Sequence, residues 1–434
     1  MIRGGRAVLA VTALLLAAAC AAPTTSASPP ASTGSPAGST SGSTAAAAGT
    51  TVTPRPGPPP TFDGTGDFYA APDPLPPADP GTLIRTQAIT PKDYDNKVVL
   101  RVMYHSRDAE NRDVATTGTI VYPNPGSAAA PAPSAGYPVV SFAHGSTGLG
   151  SKCAPSRANA GVGSFGVEGI AVAADFIGLG PTGQHHAFMS GPAEGHSVID
   201  IVRAVRNLAD AHAGTRWAAV GFSQGGHASL FAGEQAKSYA PELDLVGVAV
   251  AAPPSNLDET YPGDVAGIAA VTKVMTVFGL AVDHPGLVPR DYATPELLAA
   301  SDAVQAGCVQ DLTMAVAAVP LDKHWTRDPY TTEPAAAIVR ANSPGLHPAA
   351  APILIVQGST DVFVVPARTD ALFAELCAQR ATVDLRRFEG VGHDENLLKL
   401  AKPEFTSWLG DRFAGRPAPD TCASAVTPPA TAAP

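Results

Sequence analysis

The most informative part of this sequence is the stretch Trp217-Ala218-Ala219-Val220-Gly221-Phe222-Ser223-Gln224-Gly225-Gly226-His227. Its first four residues are an apolar run that predicts a buried strand, and residues 228–234 resemble the start of a helix. A serine on so tight a strand-to-helix turn has its hydroxyl raised clear of the sheet. Its neighbours two places away must be small, because strand and helix crowd together there. The Gly-x-Ser-x-Gly motif is weak alone, but this context makes Ser223 a candidate nucleophile.

The partners that a nucleophilic serine needs follow later in the chain. A histidine must take the serine proton, and an acid must orient that histidine. Asp361 comes just after a predicted strand at 353–357, and His393 comes just after a predicted strand at 383–388. The order Ser223, Asp361, His393 is the one found in α/β-hydrolases. The sequence therefore predicts Ser223 as nucleophile, Asp361 as orienting acid and His393 as base.

The other histidines and acids are weaker candidates. Three histidines precede the serine, out of order for the base: His185, His186 and His196. His227 on the serine helix is expected to pack or cap, and nothing supports a role for the two histidines of the later insertion, His324 and His347. Three acids beside predicted strands or the candidate base are expected to be loop residues: Asp175, Asp394 and Glu395. For Asp175, a position lining the site is an equal alternative.

An ester transition state also needs backbone amides that bind the developing oxyanion. The first predicted donor is the amide of Gln224, directly after the nucleophile. The second is expected from the loop after an early strand, His144-Gly145-Ser146, where the sequence does not distinguish Gly145 from Ser146. His144 is interpreted as part of this oxyanion loop.

Hydrophobic patterning predicts one sheet with an insertion. Strands are predicted at 98–104, 117–122, 137–142, 169–174 and 246–251, with a helix at 195–211. The first two strands suggest an antiparallel start, and the later alternation with helices predicts a parallel sheet covered on both faces. No convincing strand occurs at 255–350, which we interpret as an insertion between two strands of one sheet. Within it, the apolar segment 265–282 is either a buried packing helix or a lid, and its position favours the lid.

Composition limits the class of protein. The chain has 434 residues, of which 45% are hydrophobic and 15% charged, with a formal net charge of −10. These values suit a globular protein with a large core, although they leave room for segments outside it. The negative charge argues against binding to nucleic acid or an anionic membrane through a basic patch. No nucleic-acid partner is therefore predicted.

The N-terminus predicts export. Arg3 and Arg6 precede an apolar run that is too short for a comfortable membrane span, so residues 1–19 are interpreted as a signal peptide. Cys20 after three alanines resembles a bacterial lipoprotein box, although Leu16 is one place too early. Ordinary cleavage without lipidation is the alternative. Residues 20–61 are mostly Ala, Pro, Ser, Thr and Gly, which predicts a disordered linker. A membrane partner is expected only through this lipid anchor.

The remaining cysteines predict disulfides. Export implies an oxidising compartment, and the four cysteines other than Cys20 allow three pairings: Cys153, Cys308, Cys377 and Cys422. None has the short spacing of a structural zinc site. No metal or organic cofactor is implied.

Several motifs together resemble the secretory lipase family, the secreted α/β-hydrolases of fungi and actinobacteria. The resemblance runs from about residue 67 to 422 and rests on these segments: Asp67-Phe68-Tyr69, Ala143-His144-Gly145-Ser146-Thr147-Gly148, Cys153-Ala154-Pro155-Ser156, Asp175-Phe176-Ile177-Gly178-Leu179-Gly180, Gly221 to His227, Gly358-Ser359-Thr360-Asp361 with Val365-Pro366, and Gly392-His393. It implies ester hydrolysis, a helical cap, and the same nucleophile, acid and base. It also implies the pairs Cys153–Cys308 and Cys377–Cys422.

These observations predict an α/β-hydrolase domain at 62–425 with a cap at about 255–350 and a disordered tail at 426–434. The predicted function is an extracytoplasmic serine esterase or lipase, secreted or held at the cell surface, acting on small-molecule acyl esters or lipids through an acyl-enzyme. One alternative keeps the triad but makes the protein an acyltransferase or a peptidase. Another is a non-catalytic ligand-binding lipoprotein, which the intact Ser223, Asp361 and His393 argue against.

Overall fold

The computed structural model describes most of the chain after the predicted linker. The described residues are 60–127, 131–159, 161–261, 263 and 265–425. The predicted signal peptide 1–19, Cys20 and the tail 426–434 lie outside them, as does the linker except for its last two residues. Within the described ranges, no helix combines the length and the hydropathy that a membrane crossing requires.

A nine-stranded sheet forms the centre of the domain, in the order β1-β2-β3-β5-β4-β6-β7-β8-β9. Strands β1 to β3 and β5 pair antiparallel, whereas β4 to β9 pair parallel. The strands are β1 Leu83–Ile89, β2 Lys97–Arg107, β3 Asp113–Pro123, β4 Tyr137–Ala143, β5 Ile170–Ala174, β6 Ala213–Phe222, β7 Asp244–Ala251, β8 Ile353–Gly358 and β9 Val383–Phe388. The predicted antiparallel start and parallel continuation are confirmed.

Helices cover both faces of the sheet. They are α1 Gly191–Arg206, α2 Gln224–Tyr239, α3 Leu257–Thr260, α4 Ile268–Asp283, α5 Pro295–Ala299, α6 Ser301–Ala306, α7 Val309–Ala317, α8 Ala335–Ala341, α9 Pro366–Ala378, α10 Glu395–Phe413 and α11 Cys422–Ala425. Residues of β6 alternate between two core clusters: Trp217 packs in the cluster of α1, α2 and α9, and Ala218 packs in the cluster of α10. Both faces of the parallel strands are therefore apolar.

The predicted bounds of the helix at 195–211 are wrong. Helix α1 begins four residues earlier, at Gly191, and has Pro192 in its first turn. Proline suits this position because the first amides of a helix have no acceptor within it. The helix ends at Arg206, and a separate 3-10 turn follows at Ala209–Ala211. The earlier start places Glu194 on α1, where it becomes important for the site.

The insertion between β7 and β8 is helical, and its described residues contain no strand. Its largest helix, α4, packs its apolar side chains into a core that includes Phe278, Leu297 and Leu312. Lys273 on α4 is fully buried, and its amine lies 2.6 Å from the Asp328 carboxylate. Helix α4 is thus a packing helix within the cap.

Two disulfides join distant parts of the chain, with the pairing that the family resemblance implied. Cys153 after β4 is bonded to Cys308 at the start of α7, and Cys377 on α9 is bonded to Cys422 on α11. The first bond fastens the cap to the loop after β4. Three main-chain hydrogen bonds lie beside it: the amides of Leu149 and Gly150 donate to the Gly307 carbonyl, and the amide of residue 309 donates to the carbonyl of residue 147.

Removing the Cys153–Cys308 bond should loosen the cap specifically. The bond closes a loop of 155 residues, for which the chain-entropy model gives a loss of about 5 kcal/mol on Cys153→Ala/Cys308→Ala substitution. Limited proteolysis should then cut the cap faster than in the unmodified protein. Cys377→Ala/Cys422→Ala is the matched control, since its loop of 45 residues is outside the cap. Equal cap cleavage in the two variants would contradict this expectation.

Candidate active site

Ser223 lies on a strained turn between β6 and α2. Its backbone has φ 54° and ψ −123°, a conformation that a non-glycine residue adopts at a cost. The neighbouring glycines are required by close approach. A Cβ at Gly221 would lie 1.9 Å from the Gly225 carbonyl oxygen, and a Cβ at Gly225 would lie 1.9 Å from the Ala143 carbonyl oxygen. The sequence motif therefore forms a tight turn between a strand and a helix, which presents the serine at the end of β6.

The three residues predicted as nucleophile, base and acid form one hydrogen-bonded chain. His393 Nε2 lies 2.9 Å from Ser223 Oγ, and His393 Nδ1 lies 2.7 Å from Asp361 Oδ2. Because a carboxylate only accepts, Nδ1 carries the hydrogen and Nε2 has the lone pair that faces the serine hydroxyl. The loops after β6, β8 and β9 thus meet at the carboxyl edge of the parallel strands, where α/β proteins commonly bind ligands.

The surrounding groups hold the acid and the histidine in place. The other oxygen of Asp361 accepts main-chain hydrogen bonds from Phe363 and Val364, each 2.9 Å long. This leaves Oδ2 for the histidine. The His393 ring stacks on Phe222, with ring centroids 5.0 Å apart, and meets Phe363 edge-on at 5.5 Å. The ring is therefore restricted in the orientation that both hydrogen bonds require.

The predicted oxyanion donors lie on both sides of the serine turn. Gln224 is the first residue of α2, where the helix offers its amide no acceptor. Gly145 packs against Phe222, since a Cβ there would lie 3.3 Å from the ring, whereas Ser146 is exposed. His144 Nδ1 lies 2.7 Å from the Gly145 carbonyl oxygen and its ring packs on Phe176. His144 thus lies in the loop that follows β4.

The remaining histidines have other contacts. His196 stacks on Tyr239 with ring centroids 3.9 Å apart, and His324 Nε2 lies 3.1 Å from the Val319 carbonyl oxygen. His185 and His347 are exposed. None of these four is hydrogen-bonded to Ser223 or Asp361 in the part of the chain that the structure describes.

Two of the three acids expected to be loop residues have defined side-chain contacts. Asp175 accepts hydrogen bonds from the hydroxyls of Thr117 and Ser156, so it joins β3 to the loop after β4. Asp394 accepts from the Asn396 amide and caps α10. Among the described residues, no group of three or more His, Cys, Asp or Glu is arranged to hold a metal ion.

A buried polar layer beneath Ser223 was not predicted from the sequence. Glu194 on α1 is 1% exposed, and one of its oxygens accepts from the Gln224 side-chain amide at 2.7 Å. Its other oxygen lies 2.8 Å from His227 Nδ1. His186 Nε2 lies 2.6 Å from the same Gln224 amide nitrogen. His186 therefore contacts the residue that follows Ser223, and His227 contacts the carboxylate to which that residue donates.

This layer continues into the cap through Asn342. Its carbonyl oxygen lies 2.8 Å from His227 Nε2, and its side-chain oxygen accepts from the Gly191 amide at 2.9 Å. Its side-chain nitrogen lies 3.1 Å from His284 Nε2. The end of α8 is thus hydrogen-bonded to both α1 and α2, which joins the cap to the helix that follows Ser223.

One acid near this layer should make stability depend on pH. Burial raises the pKa of Glu234 from 4.5 to about 7, so folding disfavours its ionised form. The contribution of Glu234 to the free energy of unfolding is fully present below pH 4.5 and is lost as the pH rises to about 7. Glu234→Gln should therefore raise the free energy of unfolding by on the order of 3 kcal/mol at pH 8 and have little effect at pH 4.5.

Urea unfolding at the two pH values, followed by tryptophan fluorescence, checks this expectation. Glu296→Gln is a suitable control because Glu296 is exposed on α5. An effect of Glu234→Gln that is the same at pH 4.5 and pH 8 would contradict the assignment.

The sheet order, the serine turn and the covering helices define an α/β-hydrolase. The chain belongs to the secretory lipase family, whose model matches residues 167–421.

Relatives and solved structures agree with this assignment. A Mycobacterium tuberculosis protein named probable inactive lipase MT1628 is 26% identical over 389 residues, covering 83% of this chain and 84% of the relative. The secreted triacylglycerol lipase LIP7 of Malassezia globosa is 26% identical over 253 residues, which cover 55% of this chain and 54% of the relative. The structure of Candida antarctica lipase A has the same fold, with a TM-score of 0.68 at 20% identity over 84% of this chain and 88% of that chain.

Proposed function

We propose that this chain is a catalytically active carboxylic ester hydrolase, with Ser223 as nucleophile, His393 as general base and Asp361 as orienting acid. The observation that carries the proposal is the continuous hydrogen-bonded chain from Ser223 Oγ through His393 to Asp361. A relative is named a probable inactive lipase, so family membership alone does not establish activity. The intact chain of hydrogen bonds favours activity here.

The geometry supports a two-step mechanism. Ser223 Oγ attacks the ester carbonyl carbon while His393 Nε2 takes the hydroxyl proton, and the carbonyl electrons move onto oxygen. The Gln224 amide and an amide of Gly145 or Ser146 bind this oxyanion. The carbon–oxygen bond to the alcohol then breaks, and His393 returns the proton to the leaving alkoxide. In the second step, His393 takes a proton from water as the water attacks the acyl carbon. The bond from that carbon to Ser223 Oγ then breaks, the acid is released, and His393 returns the proton to Ser223.

Apolar acyl esters are the proposed substrates. The partly buried rings of Phe222 and Phe363 pack against His393, so an acyl chain bound at Ser223 would meet apolar groups beside the proposed base. A relative is named a secreted triacylglycerol lipase and another a trichothecene C-3 esterase. An ester of an apolar acyl group is the chemistry that these names share.

We also propose an extracytoplasmic location. Two disulfides fit an oxidising compartment. The proposed signal peptide 1–19, lipidation of Cys20 and the linker 20–61 would place the domain 62–425 at the outer surface of a membrane. Metabolic labelling with an alkynyl fatty acid, compared with Cys20→Ser, checks the anchor.

The activity is tested with p-nitrophenyl esters from acetate to palmitate, together with a fluorophosphonate that labels reactive serines. We expect the rate of hydrolysis to be highest at a definite acyl length. Activity should fall in proportion to the fraction of enzyme labelled by the fluorophosphonate, and the peptide that contains Ser223 should increase in mass. Transfer of the acyl group to an added alcohol in preference to water would indicate an acyltransferase instead. Absence of both hydrolysis and labelling would leave the ligand-binding alternative.

A further inference from the structure

Gln224, the residue after the proposed nucleophile, has a fully buried side chain. Its amide nitrogen faces two hydrogen-bond acceptors. The Gln224 Nε2 atom lies 2.7 Å from Glu194 Oε1 and 2.6 Å from His186 Nε2. We propose that Glu194 is a positioning residue that, through Gln224, holds the main-chain amide of Gln224 in place as an oxyanion donor. This inference rests on the proposed hydrolase function and extends it to residues that contact no substrate.

Glu194 connects three parts of the chain. Its Oε1 accepts from the Met189 amide at 2.9 Å as well as from Gln224, and its Oε2 faces His227 Nδ1 at 2.8 Å. Gln224 and His227 lie three residues apart on α2, so one carboxylate holds both the first residue of the helix and its next turn. Movement of the first turn relative to α1 would break at least one of these bonds in a site closed to water.

His186 fixes which way the Gln224 side-chain amide faces. Its Nδ1 lies 2.8 Å from the Ile177 carbonyl oxygen, which only accepts, so Nδ1 carries the hydrogen. Burial lowers the pKa of His186 to about 4, so the ring is neutral and Nε2 is an acceptor. Both hydrogens of the Gln224 NH2 group therefore have acceptors. Rotation of the amide would turn its oxygen toward Glu194, which the negative charge opposes.

The main-chain amide of Gln224 is one bond from a Cα whose side chain is fixed in this way. Oxyanion donors act only at the correct distance, and loss of one costs about 10²–10³-fold in turnover. Glu194→Ala should therefore lower kcat by about 10²-fold while KM changes little, because the triad and the cap core are unaltered. Gln224→Met keeps the volume and the main-chain amide but removes both side-chain bonds, and should lower kcat similarly.

Glu194→Gln should recover most of the activity. Its side-chain oxygen can accept from Met189 and Gln224, and its NH2 group can donate to His227 Nδ1. His227 would then be neutral, with Nε2–H donating to the Asn342 carbonyl. Every hydrogen bond would be kept, so we expect kcat within about 5-fold of the unsubstituted enzyme.

Asp200→Ala is the matched control. Asp200 is also fully buried on α1, and it accepts from Ser106, Arg203 and Tyr239, each at 2.8 Å. Its substitution should destabilise the same helix without moving α2 at the serine. If Glu194 only stabilised the fold, Asp200→Ala and Glu194→Ala would lower the activity per folded molecule to the same extent.

The experiment measures kcat and KM for p-nitrophenyl butyrate and the inhibition constant of an alkyl trifluoromethyl ketone, whose hemiketal oxyanion tests the donors directly. We expect the inhibition constant to rise about 10²-fold in Glu194→Ala and Gln224→Met, in parallel with the fall in kcat. The pH midpoint of kcat/KM should stay constant, because His393 and Asp361 are unchanged.

Three results would overturn the inference: kcat of Gln224→Met within about 3-fold of the unsubstituted enzyme, Glu194→Gln as impaired as Glu194→Ala, or Asp200→Ala as impaired as both. Gln224→Met carries the test if Glu194→Ala fails to fold. An unsubstituted enzyme without hydrolysis would instead refute the proposed function, and this inference with it. An active enzyme with unaffected variants would refute this inference alone.

Discussion

Ser223→Ala should lower kcat for p-nitrophenyl ester hydrolysis by about 10⁶-fold, the loss seen when a triad enzyme of another fold loses its nucleophile. The change removes only the oxygen that lies 2.9 Å from His393 Nε2. The strained turn should be kept, because Gly221 and Gly225 allow its close contacts whatever the side chain at residue 223. The measurement is the initial rate under saturating substrate, with the amount of folded enzyme determined separately.

Ser229→Ala is the matched control for this prediction. Ser229 lies on the same helix, is buried, and its hydroxyl has no hydrogen-bond partner among the described residues. Its removal should leave kcat unchanged and have little effect on stability. A residual rate in Ser223→Ala within about 10-fold of the unsubstituted enzyme would mean that another group is the nucleophile.

The sequence allowed the triad to be predicted because each member has a local signal. Ser223 is on a turn that only small neighbours permit, and Asp361 and His393 each follow a short apolar strand. Parallel strands place their carboxyl ends at one edge, so residues far apart in the chain become neighbours without any knowledge of tertiary contacts. The observed distances agree with this reasoning.

The layer beneath the site had no such signal. Hydrophobic periodicity located α1 by its apolar face and set its start at residue 195, which excluded Glu194. Pro192 was a start signal that apolar periodicity does not register. Which buried polar groups then find one another depends on helix packing, and a glutamate read from sequence alone is expected on the surface. His227 was therefore expected merely to pack or cap.

Other differences have similar causes. Strand β1, Leu83–Ile89, was not predicted, because it is an edge strand whose residues include Arg85 and Gln87 and whose burial hardly alternates. The disulfide pairing was one of three possibilities until the family resemblance selected it. Local sequence patterns were enough to predict the sheet and the three site residues, whereas contacts between helices depend on how the helices pack.

Asp361→Asn should lower kcat by about 10⁴-fold while leaving the fold intact. An asparagine oxygen can still accept the amides of Phe363 and Val364, so its NH2 group must face His393. The Nδ1 atom would then have to accept, which moves the ring hydrogen to Nε2. In this tautomer Nε2 has no lone pair for the Ser223 proton, and the imidazolium formed in the reaction has no facing negative charge. The same rate assay, with unfolding by urea as the check on folding, measures both effects.

Asp394→Asn tests whether the effect belongs to the acid at residue 361. Asp394 is adjacent to the base in sequence, but its side chain caps α10 by accepting from the Asn396 amide, a role that asparagine fills equally well. Its substitution should leave kcat within about 2-fold of the unsubstituted enzyme. The comparison therefore separates the effect of any negative charge near the histidine from that of the carboxylate facing Nδ1. Equal losses in the two variants would point to a general electrostatic effect. A loss confined to Asp361→Asn identifies tautomer control, since only that carboxylate lies 2.7 Å from Nδ1.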